Sequence, residues 1–154
     1  MSENRNEFQG DILIKSTPDG ADIVLEDGLI QDCRGFETAI FLSLFGGNEK
    51  DLNKKTNETW WGNLVEGTKE NEWIHSELNA MVKGLPITSG NIKKARDAAQ
   101  RDLSWIKDDA GADEINIFLH AENPTKTKLT AEILKNNSKI NTSEYEFQWK
   151  GAEN

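Results

Sequence analysis

The chain has 154 residues, enough for one domain with a core of its own, and carries a net charge of −9 with 29% charged residues. Its basic residues form no patch: Lys54-Lys55 and Lys93-Lys94 are short and interleaved with polar residues, which argues against nucleic-acid binding by phosphate neutralisation. A single cysteine, Cys33, excludes an internal disulfide and a cysteine-based zinc site.

One domain is expected over residues 1–154, with an ordered core over about 8–150 and polar ends. Residues 8–15 read as a strand, with Ile12 and Ile14 on one face and Asp11, Leu13 and Lys15 on the other. Ser16-Thr17-Pro18-Asp19-Gly20 is a turn, because proline fixes φ and Asp-Gly accepts tight geometry. Residues 21–26 form the second strand of this N-terminal β-hairpin, with Ile23 and Leu25 on one face, and Asp27-Gly28 ends it. Residues 36–45 read as a helix that is apolar nearly all round, and therefore as the buried centre of the domain. Glu37 suits its first turn, and Gly46-Gly47 stops it. Residues 48–71 form a long polar segment that contains Trp60-Trp61.

Residues 73–83 predict a short helix with Ile74, Leu78, Met81 and Val82 inward, ended by Gly84 and Leu85-Pro86. Residues 88–109 predict the longest helix. It is capped by Thr88 or Ser89 and buries Ile92, Ala95, Ala99, Leu103 and Ile106, with Trp105 bordering the stripe. The period then changes to two. Ile115, Ile117 and Leu119, then Leu129, Ala131 and Ile133, then Tyr145, Phe147 and Trp149 alternate with their neighbours. Turns at Asn123-Pro124 and Asn136-Asn137 join these strands into an antiparallel meander. The fold class is α+β: an N-terminal β-hairpin, three helices, and C-terminal antiparallel strands forming one sheet with helices on one face.

The residues supply little for catalysis. His75 and His120 lie on different elements without a second ligand at metal spacing, so neither a metal nor another cofactor is expected. There is no phosphate loop and no Gly-x-Ser-x-Gly. Glu37 is the best single carboxylate for an acid role, but no partner for it can be named and a helix N-terminal charge or capping contact explains it better. Residues 39–45, the longest apolar run, are too short to span a bilayer, and the acidic, polar N-terminus carries no secretion signal. A soluble protein made in a reducing cytoplasm, with no membrane partner, is therefore expected.

Binding is the stronger expectation. Tryptophan hides a large ring and seeks a partner for its indole N–H, and it is enriched at interface hot spots. Trp60 and Trp61, side by side, and the nearby Trp73 either roof the protein's own core or meet another protein. The C-terminal strand, residues 144–149 with Tyr145, Phe147 and Trp149, is a second candidate, docking by edge pairing. On that view, removing residues 144–154 would leave a folded core.

Several segments in order resemble a known family. They are Gly10-Asp11-Ile12, Asp27-Gly28-Leu29, and Gly35-Phe36-Glu37-Thr38-Ala39-Ile40 running into Leu42-Ser43-Leu44-Phe45. Trp60-Trp61-Gly62-Asn63, Ile74-His75-Ser76-Glu77-Leu78, and Ala98-Ala99 through Leu103-Ser104-Trp105-Ile106 to Asp109-Ala110-Gly111 follow. Together they resemble the phage Mu-type tail protein family over residues 9–149. His75 stands where glycine is usual, Asn79 where tryptophan is usual, and Asn63 where aspartate is usual. That family is similar to the small T4-type baseplate wedge protein of contractile tails. The resemblance implies a non-enzymatic structural subunit of a virion tail baseplate, made in the host cytoplasm, whose partners are larger wedge proteins and the tail sheath. A lysozyme-like peptidoglycan hydrolase and an acidic immunity or inhibitor protein are the alternative expectations.

Overall fold

The computed structural model describes residues 11–17, 20–33, 36–47, 65–67, 69, 73–109 and 111–149. At the N-terminus lie β1 (Asp11–Ile12), β2 (Ile14–Thr17), β3 (Gly20–Ile23), β4 (Leu25–Glu26), β5 (Leu29–Ile30) and β6 (Asp32–Cys33). They pair antiparallel as β1 with β6, β2 with β3, and β4 with β5. The expected hairpin is present as β2–β3, but the strands continue beyond it. Asp27 and Gly28 have φ of 50° and 77°, both positive as a type I′ turn requires, and send the chain back into β5.

The three ladders meet at a closed ring of backbone hydrogen bonds. Leu13 N–H donates to the Gln31 carbonyl (2.8 Å), Gln31 N–H to Val24 (2.9 Å), and Val24 N–H to Leu13 (3.0 Å). Each chain segment therefore pairs with one neighbour before the ring and with the other after it. Thr38 fastens this module to the first helix: its hydroxyl donates to the Ile12 carbonyl and accepts from Ile14 N–H.

Helix α1 (Glu37–Phe45) buries Thr38, Ile40, Phe41 and Leu44, as its apolar character predicts. Its end needs both glycines. A Cβ on Gly46 would lie 2.4 Å from the Leu42 carbonyl, and Gly47 has a φ of 96°. Helix α2 (Glu77–Gly84) begins later than the apolar spacing predicts, because Ser76 caps it. The fully buried Ser76 hydroxyl accepts from Asn79 N–H and donates to the Leu44 carbonyl at the end of α1. One side chain thus serves two helix termini.

The long helix of the sequence reading is two helices, α3 (Ser89–Asp102) and α4 (Trp105–Asp109). Around Leu103-Ser104 the bonds tighten to three-residue spacing: Ser104 N–H to Arg101, Ile106 to Leu103 and Lys107 to Ser104, each 3.1 Å. This break lets Leu103 and Ile106 both reach the core. Small residues, Ala95, Ala98 and Ala99, form the buried part of α3.

Strands β7 (Glu114–Ala121), β8 (Lys126–Lys135) and β9 (Ser138–Gln148) form one antiparallel sheet in the order β7-β8-β9, giving the α+β fold read from the sequence. Asn136 and Asn137, with φ of 52° and 60°, make the two-residue turn between β8 and β9. Asn123 organises the other turn, its side-chain oxygen accepting from Thr125 and Lys126 N–H. The register shifts between Ile133 and Leu134, whose partners are Asn141 and Lys139, so Ile140 is the extra residue of a bulge. The inner face, with Ile115, Ile117, Leu129, Ala131, Ile133 and Trp149, joins Ile40, Leu44, Leu78, Val82, Leu103 and Ile106 in one core.

Asp102, the last residue of α3, also belongs to α2. Its two carboxylate oxygens accept from Glu77 N–H (2.9 Å) and Leu78 N–H (3.0 Å), while Arg101 donates to Glu77 Oε2 (2.6 Å). Burial pushes the Asp102 carboxyl up from 3.8 to about 7, outweighing the two backbone donors that favour its charge. The native state then holds a proton that the unfolded chain has released. Between pH 4 and about 7, this group makes folding less favourable as pH rises; above about 7 the effect is constant. We expect the stability of the wild type relative to Asp102→Asn to fall as pH rises through that window and then level off. Urea melts of both proteins at four or five pH values check this; parallel profiles would refute it.

Candidate functional site

The six residues expected to meet a partner divide three ways. Trp60 and Trp61 lie outside the described residues. Trp73 is described and half-buried, immediately before the Ser76 cap. Its ring stands edge-on to His75 with centroids 6.2 Å apart. The indole N–H of Trp73 and both ring nitrogens of His75 are buried without a hydrogen-bond partner among the described residues. Leaving such groups unpaired costs stability, so this pair is a strained point beside α2.

Tyr145, Phe147 and Trp149 correct the expectation that their side chains meet a partner. They point inward and not toward a partner. Tyr145 and Phe147 pack on α1, with Phe45 5.6 Å from Tyr145 and 5.2 Å from Phe147, ring centre to ring centre. The Tyr145 hydroxyl donates to the Glu37 carbonyl. Trp149 is fully buried; its indole donates to the Leu85 carbonyl and its backbone N–H to Thr125 (2.7 Å). The physical reason is the sheet's sidedness. The alternate residues Glu144, Glu146 and Gln148 are exposed, so the apolar set of β9 must face the helices. Removing residues 144–154 takes Tyr145, Phe147 and Trp149 out of the core, so loss of the fold is the expected outcome of that truncation. What β9 offers a partner is its outer backbone edge, which carries no ladder partner among the described residues.

The outer face of the sheet is laced with ion pairs: Lys126 with Glu146 (3.0 Å) and Glu122 (3.3 Å), Lys128 with Glu144 (3.4 Å), and Lys139 with Glu132 (2.6 Å). The bond to Glu146 chiefly raises the Lys126 pKa. Exposed pairs of this kind contribute little stability. Glu37, the sequence's acid candidate, is half-buried on the first turn of α1, with one carboxylate oxygen buried and unpartnered among the described residues. Among the described residues, no group of three His, Cys, Asp or Glu could hold a metal ion, and no helix is long and apolar enough to cross a membrane.

The sequence reading missed the N-terminal module as a surface. Among the described residues, Leu25 (64% exposed), Leu29 (69%) and Ile30 (58%) are the most exposed large apolar ones, and Ile12 (44%) and Ile23 (43%) belong to the same module. The signal was available. Asp27-Gly28 between Leu25-Glu26 and Leu29-Ile30 is a hairpin turn flanked by apolar residues.

No protein-family profile, curated protein or solved structure matches the chain.

Two tryptophans permit opposite expectations. Trp149→Ala should lower the unfolding free energy by about 3–5 kcal/mol, and Trp149→Phe by about 1–3 kcal/mol, since the Leu85 carbonyl loses its donor. Trp73→Phe should be neutral or stabilising, because it removes an unpaired N–H. Urea denaturation of the three variants gives the ranking.

Proposed function

We propose that this chain is a non-enzymatic structural subunit of a contractile-tail baseplate, joining larger wedge proteins and helping to start the tail sheath. The observation that carries the reading is the ordered set of motifs from Gly10 to Gly111, with Trp60-Trp61-Gly62-Asn63 between the first and second helices. Its described landmarks are also parts of one core. Ile40 and Leu44 from the Gly35–Phe45 motif, Leu78 from the segment after Trp73, and Leu103 and Ile106 from the Leu-Ser-Trp-Ile motif are all fully buried.

On this reading the chain sits in the tail baseplate after synthesis in the host cytoplasm. Trp60-Trp61 supplies the apolar anchor for wedge proteins, and the edge of β9 away from β8 supplies strand addition toward the sheath. The edge binds through backbone groups, so Tyr145, Phe147 and Trp149 keep their places in the core.

Co-expression of the full chain with wedge and sheath proteins of a contractile tail tests the proposal. A stable hetero-oligomer is expected. Trp60→Ala and Trp61→Ala should each reduce its yield severalfold while shifting the melting temperature of the isolated protein by only a few degrees. Equal loss of assembly and stability would make the pair core residues. Clearing of purified cell walls that vanishes in Glu37→Gln would replace the structural reading with a hydrolase.

A further inference from the structure

Strand β7 is the sheet's other edge, and its hydrogen bonds fix which backbone groups it turns outward. Glu122 N–H, one residue beyond β7, donates to the Lys126 carbonyl at the start of β8 (2.9 Å). Bonding residues alternate along an antiparallel strand, so the even-numbered residues of β7 face β8 and the odd-numbered ones face away. Gln100 of α3 agrees with this parity: its side-chain nitrogen donates to the Ile115 carbonyl (2.7 Å), which covers the edge there. The outward N–H and C=O groups of Ile117 and Leu119 have no hydrogen-bond partner among the described residues. Such groups are a template for another strand.

The two edges differ in what a second copy would meet. A two-fold pairing of β9 about Tyr145 would set Glu144 against Glu146 of the other copy, and like charges directly opposite oppose pairing. Residues 115–121, Ile-Asn-Ile-Phe-Leu-His-Ala, contain no acid, lysine or arginine. In a two-fold pairing of β7 about Phe118, Ile117 lies opposite Leu119 of the second copy and exchanges both backbone bonds with it. Phe118, 56% exposed on the outer face, then lies opposite itself in a non-hydrogen-bonded pair, where side chains approach most closely. Asn116 lies opposite His120. On β8, Glu132 stands beside Asn116 and Lys128 beside His120, so the two nearest charged β8 residues in each such row across the joint have opposite signs. The two Gln100 contacts fall at opposite ends of the joint, away from its centre.

We propose that β7 pairs with β7 of a second copy, antiparallel about Phe118, so that the two three-stranded sheets become one continuous sheet. Any strand could satisfy the backbone groups of this edge. The second copy also gives Phe118 an aromatic partner and opposes no like charges at the joint, although the chain carries a net charge of −9. The joint is short, so the dimer is weak and forms in proportion to concentration. It leaves the outer edge of β9 unused and depends neither on the tail assignment nor on Trp60-Trp61.

Sedimentation velocity of the full chain, from micromolar to millimolar concentration, tests the pairing. A monomer–dimer equilibrium is expected, and the amide hydrogens of Ile117 and Leu119 should exchange more slowly as the dimer forms. Phe118→Lys sets two like charges face to face on the two-fold axis and should raise the dissociation constant at least tenfold. Its melting temperature shows whether it has kept its fold. Independently of that variant, Phe118→Cys in a Cys33→Ser background should form a disulfide between copies when treated with oxidised glutathione, and Glu144→Cys in the same background should not. The proposal is overturned if the wild type stays monomeric to millimolar concentration, or if folded Phe118→Lys dimerises as the wild type does. It is also overturned if Glu144→Cys cross-links in place of Phe118→Cys, or if the slowed amides lie on β9 or the N-terminal module, since the dimer is then made elsewhere.

Discussion

The burial of Trp149 is the contact on which the two layers depend. The residue follows β9, yet its ring lies within the core made by α1, α2, α3, α4 and the sheet. Its two N–H groups bind in different directions, one to Thr125 beside β8 and the other to Leu85 at the end of α2. An indole can do this because its apolar body and polar tip act at once. The sequence distance from Trp149 to Leu85 is large, so the helical layer cannot complete its core until the last strand is in register. Long-range closures of this kind make folding cooperative and slow it.

Within the helical layer, buried polar groups decide where helices end. Ser76 joins the end of α1 to the start of α2, and Asp102 joins the start of α2 to the end of α3. Each satisfies backbone groups that a helix terminus leaves open. The two differ in cost. Ser76 is neutral and fully buried, so its bonds come without desolvating a charge. Asp102 offers two acceptors at once but must lose hydration, which is why burial prevails over its donors. Arg101 engages Glu77 and only weakly offsets the Asp102 charge.

The period-two pattern made the C-terminal sheet legible, and the asparagine turn between β8 and β9 made its hairpin legible. Alternation says that Tyr145, Phe147 and Trp149 share a face. It does not by itself say which face is wet. The answer lay in the intervening Glu144, Glu146 and Gln148, whose polarity sends the aromatic set inward. The start of α2 was misread because Trp73, Ile74 and Leu78 keep helical spacing, while the capping preference of Ser76 acts locally against it. The break between α3 and α4 had no proline or glycine to mark it. It arises from Asp102 reaching α2 and from both Leu103 and Ile106 entering the core, which are tertiary demands that periodicity cannot carry. The ring of Leu13, Val24 and Gln31 has no local signature for the same reason: it is made by three segments and belongs to none of them.

The described surface treats its apolar and charged residues unequally. On the outer face of the sheet, lysines and glutamates face one another across β8 and β9, so charge balances charge and Phe118 stands nearly alone among polar neighbours. On the N-terminal module, acids lack bases and apolar side chains adjoin one another. Backbone ladders and the Thr38 contacts hold that module, so its shape does not require the apolar face to be buried. Leaving Leu25 and Ile30 in water forgoes about 1.5–3 kcal/mol for each, a burial that only an added surface could supply. Adjoining apolar side chains that the fold leaves in solvent are what a contact surface is made of.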